Sequence, residues 1–294
     1  MSQLLSTPVD ELVNTLEVEV MAQRKLAPEL FREIAGSDRH AFDRITFRPR
    51  MLVNTTKLDL SLDLFGQRHF APIVIGPAQN QQRYHPDGEL AMARGANAGK
   101  AALIVAAQSS YPFDRIAPLT QQPLWAQIDN LKQIPSGAKV ICLSAPFDWS
   151  TVDQFRKAST VPLVLKGIMT AKDALTAIQH GANGIIVSSY RPGATNLASS
   201  LDRLPEIVQA VAGKVPILID GSFRRGSDIL KALALGAKAA LVTRPPLWGL
   251  ATYGDKGVQQ VVEMLQSEVA RDMAMLGLAS VAQINPAHIR VHKR

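Results

Sequence analysis

The stretch Pro162–Ser189, PLVLKGIMTAKDALTAIQHGANGIIVSS, decides the fold, because it contains one complete strand–helix–strand unit. Its two ends, PLVLK and GIIVS, are apolar runs too short for helices and typical of strands buried on both faces. Between them, Ala171–His180 carries apolar residues at helical spacing, and Gly181 follows where a left-handed helix end favours glycine. The stretch therefore predicts two parallel strands joined by a crossover helix.

The same rhythm extends over most of the chain, and several of its short apolar runs open on proline, which is tolerated at the first residue of a strand. We predict eight strands: Pro72–Gly76, Ala101–Ala106, Pro123–Gln127, Lys139–Leu143, Pro162–Lys166, Gly184–Ser188, Pro216–Asp220 and Ala239–Thr243. Helical patterns between or around them cover Asp87–Ala98, Ala171–His180, Leu201–Val211, Gly226–Leu235 and Lys256–Leu276. Eight strands alternating with helices predict an α/β fold, the (β/α)8 or TIM barrel, rather than a doubly wound sheet.

We expect a single domain over residues 1–294, with a barrel core at 71–250 and C-terminal helices at 251–294. Residues 1–70 form an N-terminal extension, with a helical segment at Val9–Lys25 and a β-hairpin that covers one barrel end. The barrel is truncated, because Ile128–Ala138 is too short for a crossover helix and its loops. A missing helix would expose apolar strand surface, so we expect a homo-oligomer or a protein partner.

Composition excludes several classes of protein. The chain is 47% hydrophobic and 19% charged, so it can bury a large core and is not disordered. Its single cysteine, Cys142, excludes a disulfide framework and paired-cysteine zinc, and its histidines show no metal-ligand spacing, so we expect no metal. We find no apolar run long enough to span a membrane and no basic leader, which favours a cytoplasmic protein. The net charge of +7 is scattered and aromatics are 5%, which argues against nucleic-acid binding.

Active sites of such barrels lie at the carboxyl ends of the strands, and phosphate commonly binds after the seventh and eighth. Arg224 and Arg244 follow those two strands, so they are candidates for holding an anion, with surface salt bridges as the alternative. Lys166 ends the fifth strand at the barrel mouth. It is a counter-charge to a bound anion, a Schiff-base nucleophile or a member of a structural ion pair.

Four stretches together resemble the flavin-dependent 2-hydroxy acid oxidase and dehydrogenase family, which includes glycolate oxidase, lactate oxidase and lactate dehydrogenase. They are AFDRITFRPRML at Ala41–Leu52, HPDGELAMARGANAGK at His85–Lys100, the stretch quoted first, and IDGSFRRGSDILKALALGA at Ile219–Ala237, which is followed by TRP at Thr243–Pro245. The resemblance runs from about Ala22 to His288.

The resemblance implies FMN as cofactor. Lys166 matches the lysine that faces the N1/O2 edge of the flavin, and Gln127 matches a glutamine that hydrogen-bonds the ring system. Asp220 would hold the ribityl chain, and Pro77, Ala78 and Gln79 would pass flavin N5. The phosphate would lie among Gly221, Ser222, Arg224, Thr243 and Arg244, where Ser222 and Thr243 replace the glycines of the usual pattern.

The substrate side departs from the family pattern. The family motif S-N-H-G-x-R is Ser188-Ser189-Tyr190-Arg191-Pro192-Gly193 here, so Tyr190 stands in place of the catalytic histidine. An unperturbed phenol has a pKa near 10 and is a poor general base at neutral pH. Ser144 replaces the aspartate that orients the histidine, and Gly193 falls where the carboxylate-binding arginine belongs, unless a shifted loop lets Arg191 serve.

Two substrate-side tyrosines of the family appear as Glu33 and Asp129, and the lid segment after the fourth strand is almost absent. The resemblance therefore predicts an FMN oxidoreductase with an altered substrate, such as a tailoring enzyme of specialised metabolism, in which Tyr190 is an acid or hydrogen-bond donor, Lys166 faces the flavin, and Glu33 or Asp129 is the base. Two alternatives are a non-redox flavin enzyme and a catalytically inactive barrel that serves as a binding or scaffold subunit.

Overall fold

The barrel is closed by eight parallel strands in sequential order. The computed structural model describes residues 7–129, 134–144, 148–189 and 199–292. The barrel strands are β4 (Ile73–Ile75), β5 (Ala102–Val105), β6 (Leu124–Ile128), β7 (Ile141–Ser144), β8 (Leu163–Ile168), β9 (Gly184–Val187), β10 (Ile217–Asp220) and β11 (Ala239–Val242), and β11 pairs with β4 to complete the ring. All eight predicted strands and the predicted fold class are confirmed.

Side chains alternate along these short strands between the barrel interior and the surrounding helices. The interior layer includes Trp125, Cys142, Val164 and Leu218, all fully buried. Their neighbours, such as Ile141 and Ile219, face outward and join the larger apolar cluster with the helices. Two residues further along each strand, the next inward position lies at the carboxyl end of the barrel.

Helices cover the outside of the barrel. They are α1 (Thr15–Lys25), α2 (Pro28–Ile34), α3 (His40–Asp43), α4 (Gly88–Ala98), α5 (Phe113–Ile116), α6 (Trp149–Ala158), α7 (Ala171–Gln179), α8 (Ser200–Val211), α9 (Gly226–Ala234), α10 (Arg244–Tyr253) and α11 (Asp255–Leu276). The predicted helical segment Val9–Lys25 is wrong in its first half, because the Asn14 side chain accepts from the backbone N–H of Leu16 and Glu17 and starts α1 there. Val9–Glu11 is a separate 3₁₀ turn.

The predicted hairpin is present, as β2 (Leu62–Leu64) and β3 (Gln67–His69). Leu64 belongs to the interior cluster, and the Phe65 ring meets the Trp125 ring edge-on at a centroid distance of 5.4 Å. The hairpin therefore closes the amino end of the barrel. A second small sheet pairs β1 (Ile45–Phe47) with β12 (Ile289–Val291) and ties the N-terminal extension to the end of the chain.

The connection between β6 and β7 contains no helix in its described residues, as predicted from its length. The expected exposure of apolar strand surface is wrong, however. The outward residues Leu124 and Ile128 of β6 are each 5% exposed, and Ile141 and Leu143 of β7 are buried too. Ala138 and Ile134 of the connection join the same apolar cluster, so a partner is not needed to cover these strands.

Within the described ranges, no helix is long and apolar enough to cross a membrane, and no group of three or more histidine, cysteine, aspartate or glutamate side chains is placed to hold a metal ion. Cys142 is fully buried, and burial raises the pKa of its thiol to about 12. Such a thiol packs as a small apolar side chain rather than acting as a nucleophile.

His69, the last residue of β3 in the hairpin at the amino end of the barrel, makes the stability of the fold depend on pH. The residue is 3% exposed, and burial lowers the pKa of its imidazole from 6.5 to about 4. Above pH 6.5 the ring is neutral in both folded and unfolded chains; below that, the unfolded chain takes up the proton first. We predict that His69 lowers the free energy of unfolding progressively from pH 6.5 to 4, by about 3 kcal/mol in all.

Denaturant titrations at several pH values, with His69→Phe compared against the unmodified protein, measure this contribution. The matched control is His40→Gln, because the His40 side chain is 81% exposed. Parallel pH curves for the unmodified protein and His69→Phe would contradict the prediction.

Candidate functional site

The inward positions at the carboxyl end of the barrel are polar. They include Gln127 above Trp125, Ser144 above Cys142, Lys166 above Val164 and Asp220 above Leu218. Together with the following loops, these side chains line a cavity of about 630 Å³, a volume typical of small-molecule sites. Because side chains alternate along each strand, the inward positions change from apolar to polar within two residues. We call these four polar side chains the floor of the cavity.

Lys166 forms the buried centre of this floor. Its Nζ lies 2.8 Å from Asp220 Oδ2 and 2.9 Å from Ser188 Oγ, and its side chain is 7% exposed. The ammonium and the Asp220 carboxylate form a buried ion pair. Of the three alternatives for Lys166, the geometry supports a paired cation that faces the cavity over a Schiff-base nucleophile.

Gln127 and Ser144 form the adjoining part of the floor. Gln127 Nε2 donates to Ser144 Oγ over 2.8 Å, so the Gln127 amide is oriented by a hydroxyl. A serine at this position offers a neutral hydrogen-bonding partner and no negative charge to a cation above it.

Arg224 and Arg244 lie at one end of the cavity, at the loop after β10 and at the start of α10. Arg244 Nη1 donates to Ser37 Oγ at 2.5 Å, and that hydroxyl lies 2.7 Å from Ser222 Oγ. Arg224 Nη2 donates to the Ser37 carbonyl at 2.9 Å. Two guanidinium groups beside the N-terminus of a ten-residue helix form an end of the cavity suited to an anion.

The loop that carries Arg224 is held by Asp228, whose Oδ2 accepts from the backbone N–H of Arg224 and Arg225 at 3.0 Å each. Within the loop, Gly221 has φ +120° and Ser222 φ +61°. A serine in the left-handed region costs about 1 kcal/mol relative to glycine. The strain places the Ser222 hydroxyl beside Ser37, so the residue that departs from the family's glycine has a hydrogen-bonding role.

Glu33, Arg83 and Tyr84 line the wall formed by the N-terminal extension and the loop after β4. Both Glu33 carboxylate oxygens accept from Arg83, one from Nη1 at 2.7 Å and the other from Nη2, and Tyr84 donates to the same group at 3.3 Å. The hydrogen bond from Arg83 is the main cause of the lowered pKa of Glu33, and the same bond raises the pKa of Arg83. The carboxylate is therefore charged, and both of its oxygens already accept hydrogen bonds.

Most residues predicted for the site lie together. The cavity is lined by the predicted Glu33, Pro77, Ala78, Gln79, Gln127, Lys166, Asp220, Gly221, Ser222, Arg224, Thr243 and Arg244. Asp129 is exposed just beyond β6 and is not among these lining residues. Tyr190, Arg191 and Gly193 lie outside the described residues. The roles assigned to all of these residues stay predictions.

Sequence reasoning missed Ser37, Arg83 and Trp248, which also line the cavity. Trp248 Nε1 donates to the Ile34 carbonyl at 2.8 Å and fixes α2 over α10. The sequence offered one indirect signal for Arg83. A carboxylate at Glu33, which the resemblance places beside the substrate, suggests a neighbouring cation, but the sequence does not show which residue supplies it.

The residues present fit FMN. An anion-binding end with Arg224 and Arg244 would take the phosphate, and the buried Asp220, paired with Lys166, lines the same cavity. Lys166 and Gln127 offer hydrogen-bond donors to the polar edge of a flavin ring. Just before Pro77, a Cβ at Gly76 would lie 2.2 Å from Thr243 Oγ1, so glycine at this position accommodates the Thr243 hydroxyl.

Comparison with known proteins agrees with this fit. The profile of the FMN-dependent dehydrogenase family matches residues 33–141 and 133–291. A peroxisomal (S)-2-hydroxyacid oxidase of Arabidopsis thaliana is 32% identical over 354 positions, covering 96% of this chain and 97% of the relative. Glycolate oxidase of Spinacia oleracea is 29% identical, covering 95% and 96%.

Solved structures give the same result. An arginine-to-leucine variant of mandelate oxidase with 2-hydroxy-phenylacetamide superposes with a TM-score of 0.88 at 31% identity, covering 96% of this chain and 100% of that one. A flavocytochrome b2 variant, at 23% identity and a TM-score of 0.92, covers 98% and 89% and supports the fold alone. The 354 aligned positions exceed the 294 residues of this chain, so the Arabidopsis relative carries segments that have no counterpart here.

The anion-binding end makes a prediction for cofactor affinity. Removing either guanidinium, by Arg224→Ala or Arg244→Ala, should weaken FMN binding about 10- to 100-fold, because each charge-assisted hydrogen bond contributes roughly 1.5–3 kcal/mol. Quenching of FMN fluorescence on titration with apoprotein measures the affinity. Arg203→Ala is the control, since Arg203 pairs with Glu206 on α8. Unchanged FMN affinity in both cavity variants would refute the phosphate assignment.

Proposed function

The chain belongs to the FMN-dependent dehydrogenase family, and we propose that it is an FMN-dependent oxidoreductase that does not oxidise the simple 2-hydroxy acids. The family's cofactor is FMN, and the polar floor, the anion-binding end and the cavity volume support its binding here. The residues on the substrate side of the cavity differ from the family pattern, which supports a substrate other than a simple 2-hydroxy acid.

The hydrogen bond between Gln127 and Ser144 carries this proposal. By the resemblance, a carboxylate at position 144 would orient and charge-stabilise a histidine at position 190. The Ser144 hydroxyl accepts from Gln127 and has no negative charge to offer. By the resemblance, removal of a substrate proton by a histidine at position 190 that is paired with an aspartate at position 144 is therefore not available to this chain.

The remaining residues have definable roles. Bound FMN supplies a ring that accepts a hydride from a substrate carbon and passes two electrons to an acceptor. Arg224, Arg244 and the start of α10 would hold the phosphate, while Asp220 would contact the sugar chain. Lys166 would present a positive charge to the ring edge and so favour negative charge there.

Without a histidine at position 190, another group must accept the proton that the substrate loses. Glu33 is a weak candidate for the base, because its pairing with Arg83 lowers its pKa and occupies its oxygens. Asp129 is exposed beyond β6. Asp129 therefore remains the candidate to take the proton that leaves the substrate with the hydride, and we assign Tyr190 the role of acid or hydrogen-bond donor to the substrate oxygen, a role that its phenol can fill in the protonated form.

The proposal predicts that glycolate, lactate and mandelate do not reduce the bound FMN at a useful rate. Loss of a general base typically costs 10²–10⁴-fold, and loss of a positioned carboxylate clamp adds to it. Anaerobic stopped-flow absorbance of the holoenzyme measures the reduction. Tyr190→His alone should not restore it, whereas Tyr190→His combined with Ser144→Asp and Gly193→Arg should raise the rate above that of Tyr190→His.

Rapid reduction of FMN by any of the three acids in the unmodified protein would contradict the proposal. A protein that binds no FMN under the same conditions would refute the assignment of the cavity itself.

A further inference from the structure

The ion pair between Glu33 and Arg83 stands inside the wall of the cavity rather than on a remote surface. Both side chains line the cavity with Tyr84. Glu33 is joined to Arg83 through both carboxylate oxygens, the arrangement in which a guanidinium binds a carboxylate ligand. A carboxylate of the protein therefore already occupies the face of Arg83 that a substrate carboxylate would use.

Both partners sit on anchored backbone. Glu33 lies in the last turn of α2, next to Ile34, whose carbonyl accepts from the buried Trp248 indole. Arg83 ends the 3₁₀ turn Gln81–Arg83, whose first residue donates its N–H to the buried carboxylate of Glu89 at 3.0 Å. The backbone positions of both residues are thus fixed by contacts outside the pair, which holds the two half-exposed side chains within reach of each other.

Among the described residues, the other cations that line the cavity have partners as well. Lys166 is paired with Asp220, Arg224 lies 3.9 Å from Glu19, and Arg244 belongs to the proposed phosphate end. At the Glu33 wall the charges of the pair cancel, and a carboxylate placed there would meet Glu33 as a like charge. Neutral donors and acceptors would meet exposed parts of both groups, which are 43% and 51% accessible.

We propose that the Glu33–Arg83 pair excludes a carboxylate from this end of the cavity, and that the substrate carries a neutral hydrogen-bonding group there, such as an amide or ester. This inference rests on the proposed function and narrows it to a substrate class. Glu33 is then a specificity-determining residue, which rejects acids by repulsion and by keeping Arg83 occupied.

The test compares mandelate with its amide, 2-hydroxy-2-phenylacetamide, two ligands of nearly equal shape that differ in charge. Perturbation of the flavin absorption band on titration of the FMN-loaded full chain reports binding without turnover. We expect the amide to bind about tenfold more tightly than the acid to the unmodified protein, and Glu33→Gln to raise the affinity for the acid about tenfold with little change for the amide.

Two further variants make the result specific. Glu29→Gln removes a carboxylate from the same helix, where Glu29 pairs with Arg32 in solvent, and should leave both affinities unchanged. Adding Arg83→Gln to Glu33→Gln should abolish the gain for the acid, because that gain requires the freed guanidinium.

Equal binding of acid and amide to the unmodified protein, or an acid affinity that Glu33→Gln leaves unchanged, overturns the inference. Failure of both ligands to perturb the flavin in every variant overturns it too. These outcomes leave the proposed function standing as long as FMN is bound, whereas absence of FMN from the purified protein would refute the proposed function first.

Discussion

The alternation of side chains along eight short parallel strands is the constraint on which this structure depends. Each inward position must be filled by an apolar side chain in the middle of the barrel and may be polar only at the ends. Trp125, Cys142 and Val164 fill the middle, and Gln127, Ser144 and Lys166 follow two residues later. The site is therefore built into the strand register, and a one-residue slip would turn its floor outward.

Burial of Lys166 follows from the same register. An isolated ammonium in this position would be costly, and Asp220 at the end of β10 and Ser188 just after β9 satisfy it. Around the rest of the cavity the same pattern recurs, with Arg224 near Glu19 and Arg83 against Glu33. The N-terminal extension supplies both of these acids, so the extension balances charges that the barrel alone would leave unpaired.

The strands and the floor of the site could be predicted from the sequence, because a run such as GIIVS and its position in a repeating unit are local properties. The contacts of Ser37 and Arg83 could not, since each joins residues far apart in the chain through the packing of α2 on α10. The start of α1 was predicted too early because the Asn14 cap competes with the apolar pattern before it. The covered strands β6 and β7 could not be foreseen either, because burial by a loop leaves no periodic signal.

The hydrogen bonds that join Ser37 and Ile34 to Arg224 and Trp248 also affect the order in which the protein assembles during synthesis. Ser37 is separated from Arg224 by 187 residues, and Ile34 from Trp248 by 214. During synthesis the N-terminal extension therefore emerges well before the residues that dock it. The end of the cavity that contains Arg224 and Arg244 is completed only after those later residues have been translated, so an anion is captured there only after docking has become possible.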